Sequence, residues 1–276
     1  MKTIEEYGNN KLNNIVYESD NILAMELLIK EGVESDVIIV DPPYNTEIDY
    51  IGYKDSDYRE GWINYIHQRL VLAKKLLSPT GVMFINIDEN ELVSLLTSCY
   101  ELFGKENVNV LIWPKTNPKF DKNRIEKPII NVKSAHEFII LCYNDKKNTK
   151  FKDTCFGKPL ESIVCDLGTT SSAKDEIAEL LGNRSCFSTP KPVALFRELI
   201  RVASSNDSTI VDFFAGSGTT GHAVMELNKE DSGKRRFILI TNNESNICRE
   251  VTIPRLKSAI VKEQFDSGFS FVSLME

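Results

Sequence analysis

The sequence predicts an α/β protein built on a mostly parallel sheet, and three observations carry this reading. Short apolar runs of strand character recur along the chain, stretches with apolar residues three and four apart lie between most of them, and turn-forming residues fall at the junctions. The length of 276 residues and a hydrophobic share of 42% suit one large domain, or a domain carrying a small insertion, with a substantial buried core.

Residues 21–30 place Leu23, Leu27 and Leu28 on one helical face, and Val37-Ile38-Ile39-Val40 reads as a strand buried on both sides. That strand ends at Asp41-Pro42-Pro43-Tyr44, because two prolines lack the amide donors a central strand needs. Residues 45–59 show no periodicity. Trp62, Ile66, Leu70, Ala73 and Leu77 predict a helix over 62–77, closed by Ser78-Pro79-Thr80-Gly81, and a strand over 82–87 follows. Asp88 and Glu91 read as a capping-box-like start to a helix that runs to Gly104. Strands are expected at 108–113 and 135–143, joined by a Pro-, Lys- and Asn-rich mobile loop over 114–133. From 144 to 186 no strand–helix alternation is visible, which predicts an insertion. Pro192 suits the first turn of a helix over 193–203. A strand over 209–213, the loop Phe214-Ala215-Gly216-Ser217-Gly218, a helix over 219–227 and a strand over 237–241 complete the pattern. A last helical region is interrupted at Pro254, and residues 268–274 supply an edge strand.

No stretch approaches the roughly 18 to 20 apolar residues of a membrane helix, and the first residues lack an apolar signal core. The expectation is a cytoplasmic protein without membrane contact. The six cysteines never fall as C-x-x-C and have no paired histidines nearby, so neither a metal site nor a disulfide framework is expected. The net charge of −7 argues against a nucleic-acid partner, yet it is unevenly distributed. Residues 115–158 carry eleven Lys or Arg against five Asp or Glu, leaving 22 against 35 in the remainder. Charge alone fits a solvated loop as well as a phosphate-contacting strip.

Two motifs carry chemistry. In Asp212-Phe213-Phe214-Ala215-Gly216-Ser217-Gly218-Thr219 a strand runs through glycines into a helix, which lets backbone amides approach a polar ligand. A tight turn without ligand is the bland alternative, and the chain has neither the third glycine of the dinucleotide fingerprint nor a P-loop. Asp41-Pro42-Pro43-Tyr44 lies at the carboxyl end of a buried strand, the edge at which open α/β sheets bind ligands. An exocyclic base amine is a poor nucleophile because its lone pair is delocalised. A carboxylate and a prolyl carbonyl that accept its two N–H groups favour tetrahedral character and aim the lone pair at an electrophile. An ordinary Asp-Pro turn with Tyr44 in the core is the alternative for this motif taken alone.

Together, with the D-P-P-Y loop preceding the F-x-G-x-G loop, the chain resembles the permuted (beta-class) adenine-N6 DNA methyltransferases, most of all the modification (Mod) subunits of type III restriction systems and their stand-alone relatives. The matching elements run nearly the whole length: Ser19-Asp20-Asn21, the Asp41 motif through Thr46, Phe84 to Glu91, His136-Glu137-Phe138, Pro190-Lys191-Pro192, the Gly216 loop and Thr241-Asn242-Asn243-Glu244. The resemblance implies a Rossmann-like S-adenosylmethionine-dependent methyltransferase fold with one antiparallel strand. It divides the chain into a discontinuous catalytic domain, 1–143 and 187–276, and a target-recognition insertion, 144–186.

Carried over residue by residue, the resemblance assigns catalysis to Asp41, Pro42, Pro43 and Tyr44, with Asp41 and the Pro42 carbonyl on the amine and Tyr44 stacked on a base flipped out of the duplex. It assigns S-adenosylmethionine to Phe214, Ala215, Gly216, Ser217, Gly218 and Thr219, with Asp212 near the amino group. Asp20 meets the cofactor adenine amine or serves only as a helix N-cap. Thr189 and Lys191 border the cofactor, where Lys191 pairs with the methionine carboxylate or is a surface lysine. The acid for the ribose comes late, at Glu244. Lys115, Lys119, Lys122, Arg124 and Lys127 fall where the family carries a DNA-contacting loop. The implied partners are double-stranded DNA, a second copy in a homodimer, and a restriction or specificity subunit. None of the ten prolines precedes a cysteine, so the thiol of the cytosine-C5 enzymes is not indicated. Cytosine-N4 methylation shares the same amine chemistry and is the nearest rival. A non-catalytic subunit that binds cofactor or DNA is the rival from another class.

Overall fold

The computed structural model describes residues 3–46, 61–117, 132 and 134–274. Among them the chain forms β1 (Thr3–Gly8), β2 (Ile15–Glu18), α1 (Asn21–Lys30), β3 (Ser35–Val40), α2 (Trp62–Leu76), β4 (Leu77–Ile87), α3 (Leu92–Phe103), β5 (Val108–Trp113) and β6 (Glu137–Tyr143). There follow α4 (Thr170–Leu181), α5 (Val193–Ala203), β7 (Thr209–Asp212), α6 (Thr219–Asp231), β8 (Arg236–Thr241), α7 (Ile253–Lys262) and β9 (Gly268–Ser273).

The strands make one sheet in the order β1-β9-β2-β8-β7-β3-β4-β6-β5. The six from β9 to β4 are parallel, while β6 runs against both β4 and β5. Helices cover both faces, which is why the central strands are apolar without alternation. Val37 and Ile39 of β3 pack with Leu195, Leu199, Val224 and Leu256 of α5, α6 and α7. Ile38 and Val40 pack on the opposite face with Leu28, Ile66, Leu70 and Leu95 of α1, α2 and α3.

Several boundaries differ from the sequence expectation for identifiable reasons. Strand β4 begins at Leu77, because the Ser78-Pro79-Thr80-Gly81 stretch stays extended and is absorbed as a register shift against Ser35 and Val37. The capping box at Asp88 does not form. Glu91 occupies the cap without a side-chain hydrogen bond, and Asp88 instead accepts from the backbone and side chain of Asn90. The last helical region changes winding at Pro254: the turn Cys248–Thr252 is a π-helix, and α7 begins at Ile253 with Pro254 in its first turn, where the missing amide is tolerated.

The 144–186 segment contains α4, capped by Thr169 with Ser172 in a reciprocal pair. Its apolar side, Ala173, Ile177, Leu180 and Leu181, has the three- and four-residue spacing of an amphipathic helix, so the segment holds a regular helix where no alternation is expected. Val164 and Leu167 of the same segment join the core on the α5–α7 face. The 268–274 tail is β9, but β1, which the sequence pattern did not reveal, pairs antiparallel outside it and takes the edge.

Candidate active site

Parallel strands send the loops that follow them to one edge of the sheet. Here the ends of β2, β3, β4, β7 and β8 surround a cavity of about 440 Å³. Because β3 pairs directly with β7, Val37 opposite Ile210 and Ile38 opposite Val211, the Asp41 motif and the glycine loop emerge side by side. Reversal of β6 brings its first residue, Glu137, to the same edge, and β5 leads there into Lys115.

Asp41 is the meeting point. Its Oδ1 accepts from the Tyr44 hydroxyl at 2.6 Å and from Lys191 Nζ at 2.8 Å, and its Oδ2 accepts from the same ammonium at 2.7 Å. The Tyr44 hydroxyl also lies 3.1 Å from Glu137 Oε2, which is 3.4 Å from Lys191 Nζ, while Glu137 Oε1 pairs with Lys115 at 3.4 Å. Lys191 is only 5% exposed, and its ammonium stands 5.1 Å from the centre of the Tyr44 ring. The loop is anchored from α2, where the buried Trp62 indole donates to the Pro43 carbonyl at 2.8 Å rather than to that of Pro42.

Burial pushes the Asp41 carboxyl above its ordinary value, with Lys191 opposing and Glu137 reinforcing. Burial also acts upward on Glu137, but Lys191 and Lys115 outweigh it and hold that carboxyl below the usual range. Lys191 has the complementary balance: burial lowers it, Asp41 and Glu137 raise it further, and the ammonium stays charged. Asp88, at the end of β4, is pushed up to about 6, chiefly by burial.

The glycine loop is braced from three sides. Asp212 Oδ1 accepts from the Phe214 amide at 3.0 Å and Oδ2 from the Thr220 hydroxyl at 2.5 Å; burial raises this carboxyl to about 7. Thr252 donates to the Gly216 carbonyl at 2.6 Å. Arg255, fully buried, donates to Ser217 Oγ at 2.9 Å and Thr219 Oγ1 at 2.8 Å. Thr219 in turn donates to the Lys191 carbonyl at 3.3 Å, which ties the two motifs together. Gly216 and Gly218 have φ of +49° and +82°, a region that favours glycine, and a Cβ on Gly216 would stand 3.4 Å from the Phe187 ring at the cavity wall.

Asp41, Pro42, Pro43, Tyr44, Asp20, Thr189, Lys191, Asp212, Phe214, Ala215, Gly216, Ser217, Thr219 and Glu244 all line the one cavity. Gly218 stands behind it as the cap of α6. Asp20 forms the expected N-cap, accepting from the Ile22 amide at 2.9 Å, and also borders the cavity with Arg69 3.4 Å from its second oxygen. Lys191, expected at a cofactor carboxylate or on the surface, is buried against Asp41. Lys115, expected on DNA phosphate, closes on Glu137 and faces the cavity. Lys119, Lys122, Arg124 and Lys127 lie outside the described residues.

Glu137, to which the sequence assigns no role, and Asp88, expected only as a helix cap, both line the cavity. The signal for Glu137 was a lone carboxylate opening an otherwise apolar strand, a costly placement unless it is paired.

The chain is 27% identical to the Mod subunit of the type III restriction-modification enzyme StyLTI of Salmonella typhimurium, over 86% of this chain and 53% of that protein. It is 24% identical to the type II methyltransferase M.KpnI of Klebsiella pneumoniae, over 83% of this chain and 80% of that one. The chain thus spans little more than half the length of the type III Mod subunits StyLTI and EcoPI that it matches. The solved M1.HpyAVI–SAM complex superposes with a TM-score of 0.59 at 21% identity, covering 88% of this chain and 98% of that one. The cytosine-N4-specific PvuII DNA methyltransferase superposes with a TM-score of 0.61 at 14% identity, covering 93% and 90%. These two likenesses speak to the fold. Residues 35–252, from β3 through the D-P-P-Y and glycine loops to the turn before α7, match the DNA methylase family of N6 and N4 methyltransferases, and the chain belongs to that family.

Proposed function

We propose that this chain transfers a methyl group from S-adenosylmethionine to N6 of an adenine flipped out of double-stranded DNA. The observation that carries the reading is the adjacency of Asp41 and the glycine loop at neighbouring strand ends, opening into one cavity. The residues present fit the cofactor. The side chain absent at Gly216 leaves room beside Phe187, the first turn of α6 points backbone amides toward the cavity edge, and Asp20 and Glu244 offer acceptors for an amine and for hydroxyls. When bound, S-adenosylmethionine supplies an electrophilic methyl on sulfur.

The protein's part is alignment and electrostatics. Asp41 accepts one N–H of the target amine and the Pro42 carbonyl the other, directing the nitrogen lone pair toward the methyl. Carboxylate charge beside the nitrogen favours the positive charge that would develop as the N–C bond forms and the methyl–sulfur bond breaks, and the surplus amine proton would then pass to Asp41 or to solvent. Tyr44 supports the base by stacking, with its hydroxyl held by Asp41. The +6 segment around Lys119, Lys122 and Arg124 supplies phosphate contacts, and residues 144–186 contribute to target recognition. The assembly is a homodimer or a complex with a restriction or specificity subunit, acting in the cytoplasm on nucleoid DNA.

The test is transfer from labelled S-adenosylmethionine to unmethylated duplex DNA, followed by mass spectrometry of the nucleosides. N6-methyldeoxyadenosine is expected. N4-methyldeoxycytidine would move the activity to the other amine of the family, and cofactor binding without transfer would favour a non-catalytic subunit.

A further inference from the structure

The Asp41 carboxylate has a task that its present bonding obstructs. Lys191 Nζ sits between its two oxygens, at 2.8 and 2.7 Å, where the N–H of an incoming amine has to be accepted. A fixed cation there also opposes the positive charge that grows on the amine nitrogen during methylation. A buried carboxylate does require a counter-ion, but this one stands where the substrate belongs.

The neighbourhood holds a second seat for the same ammonium. Glu137 Oε2 is 3.4 Å from Lys191 Nζ, so a small rotation of the lysine side chain converts a loose contact into a close one. Glu137 itself does not follow, since Lys115 holds its other oxygen and its backbone is fixed in β6 opposite Trp113. Tyr44 lies 2.6 Å from Asp41 and 3.1 Å from Glu137, so its hydroxyl keeps donating to Asp41 as the lysine leaves. The pair is charge-conserving: no ion enters or leaves the cavity, and the ammonium merely changes partner.

We infer that Lys191 is a mobile counter-ion that rests on Asp41 while the base pocket is empty and moves to Glu137 when an exocyclic base amine takes its place, which makes Glu137 a positioning residue for the reaction. The inference rests on the methyltransferase reading proposed above. It differs from a static ion pair in one consequence. With a static pair, a stronger cation at position 191 is harmless and Glu137 matters only for folding. With a mobile one, whatever pins a cation on Asp41 is harmful, and removing that cation relieves the damage.

The test compares wild type, Glu137→Gln, Lys191→Met, Lys191→Arg and the double variant Lys191→Met/Glu137→Gln. Each is assayed for kcat and KM on unmethylated duplex DNA across a pH series, and the pH-independent plateaus are compared, which separates a change in Asp41 ionisation from a change in the rate of the ionised form. S-adenosylmethionine affinity, measured by calorimetry, reports whether each variant is folded. Glu137→Gln removes the second seat and is expected to lower kcat/KM about tenfold or more while cofactor affinity stays within about twofold. The double variant is expected to recover at least about fivefold over Glu137→Gln. Lys191→Arg, whose planar fork grips a carboxylate at two points, is expected to be worse than Lys191→Met although it conserves charge. A double variant no better than Glu137→Gln, or Lys191→Arg as active as wild type, would overturn the inference. If the Gln variants do not bind cofactor, the comparison of Arg with Met at position 191 decides alone. Wild type that binds cofactor but transfers no methyl group to DNA defeats the proposed activity itself, a result distinct from either of these.

Discussion

Lys191 holds both carboxylate oxygens of Asp41, at 2.8 and 2.7 Å, across 150 residues of sequence. The contact joins the element before α5 to the loop after β3 and sets the ionisation of the carboxylate at the centre of the site. Burial pushes Asp41 up and Lys191 is the largest force opposing that push. Ionised Asp41 is the stronger acceptor and sets negative charge beside the amine nitrogen as positive charge grows there, so activity rises with pH through its titration. Lys191→Met removes the opposing force, and the acid limb of the kcat/KM profile is expected to move toward higher pH. A pH–rate comparison of the two proteins checks this; an unmoved or acid-shifted limb contradicts it.

Asp212 makes a separate prediction about stability. Burial raises it to about 7, so between the ordinary Asp range and that value the folded protein keeps a proton that the unfolded chain has released. Its stabilising contribution is complete at acid pH and is lost as pH rises through about 7. Asp212→Asn abolishes the loss, so unfolding curves should show the variant gaining on wild type between about pH 4 and about pH 8, by at most about 4 kcal/mol. The changed hydrogen bonds to Phe214 and Thr220 cost the same at both ends, which makes the pH-dependent difference the readout.

Gly218→Ala tests the loop geometry. The residue has φ +82°, and a Cβ would approach Thr252 Cγ2 to 3.2 Å. A loss of roughly 1–2 kcal/mol in chemical unfolding is expected, with weaker S-adenosylmethionine binding because the loop shifts at the cavity edge. Unchanged stability and affinity would show that the loop tolerates another path.

The basic segment predicts a salt effect. With a net charge of −7 over the whole chain, nonspecific DNA affinity should be modest and should vanish at moderate salt. Replacing Lys119, Lys122 and Arg124 by Glu should reduce the magnitude of the slope of log affinity against log salt by roughly 2 to 3, one phosphate contact per residue. Fluorescence anisotropy on a labelled duplex measures it, and an unaltered slope would remove these residues from the interface.

What the sequence revealed follows from range. The apolar run Val37–Val40 announced a strand covered on both faces, and the prolines announced its end, because both signals are local. Asp41, the glycine loop and the residues around them were legible for the same reason. Glu137 was not, because its role depends on the reversal of β6, a topological fact that no window of sequence contains. Lys191 was legible as a cavity residue from its Pro-Lys-Pro element, but its contact with Asp41 was not, since that partner lies 150 residues away. The spacing of α4, Ala173, Ile177, Leu180 and Leu181, is present in the sequence but stands isolated within 144–186 with no strand beside it, whereas β1 is an edge strand whose pairing with β9 spans the length of the chain.

If Asp41 serves the chemistry and the glycine loop the cofactor, the two functions separate by mutation. The most direct measurement is Asp41→Ala assayed in parallel for S-adenosylmethionine binding and for methyl transfer to unmethylated DNA. Transfer is expected to fall by about a thousandfold or more, the scale of losing a group that acts in the transition state, with cofactor affinity changed only a few-fold. Transfer that persists near the wild-type rate in Asp41→Ala would contradict it.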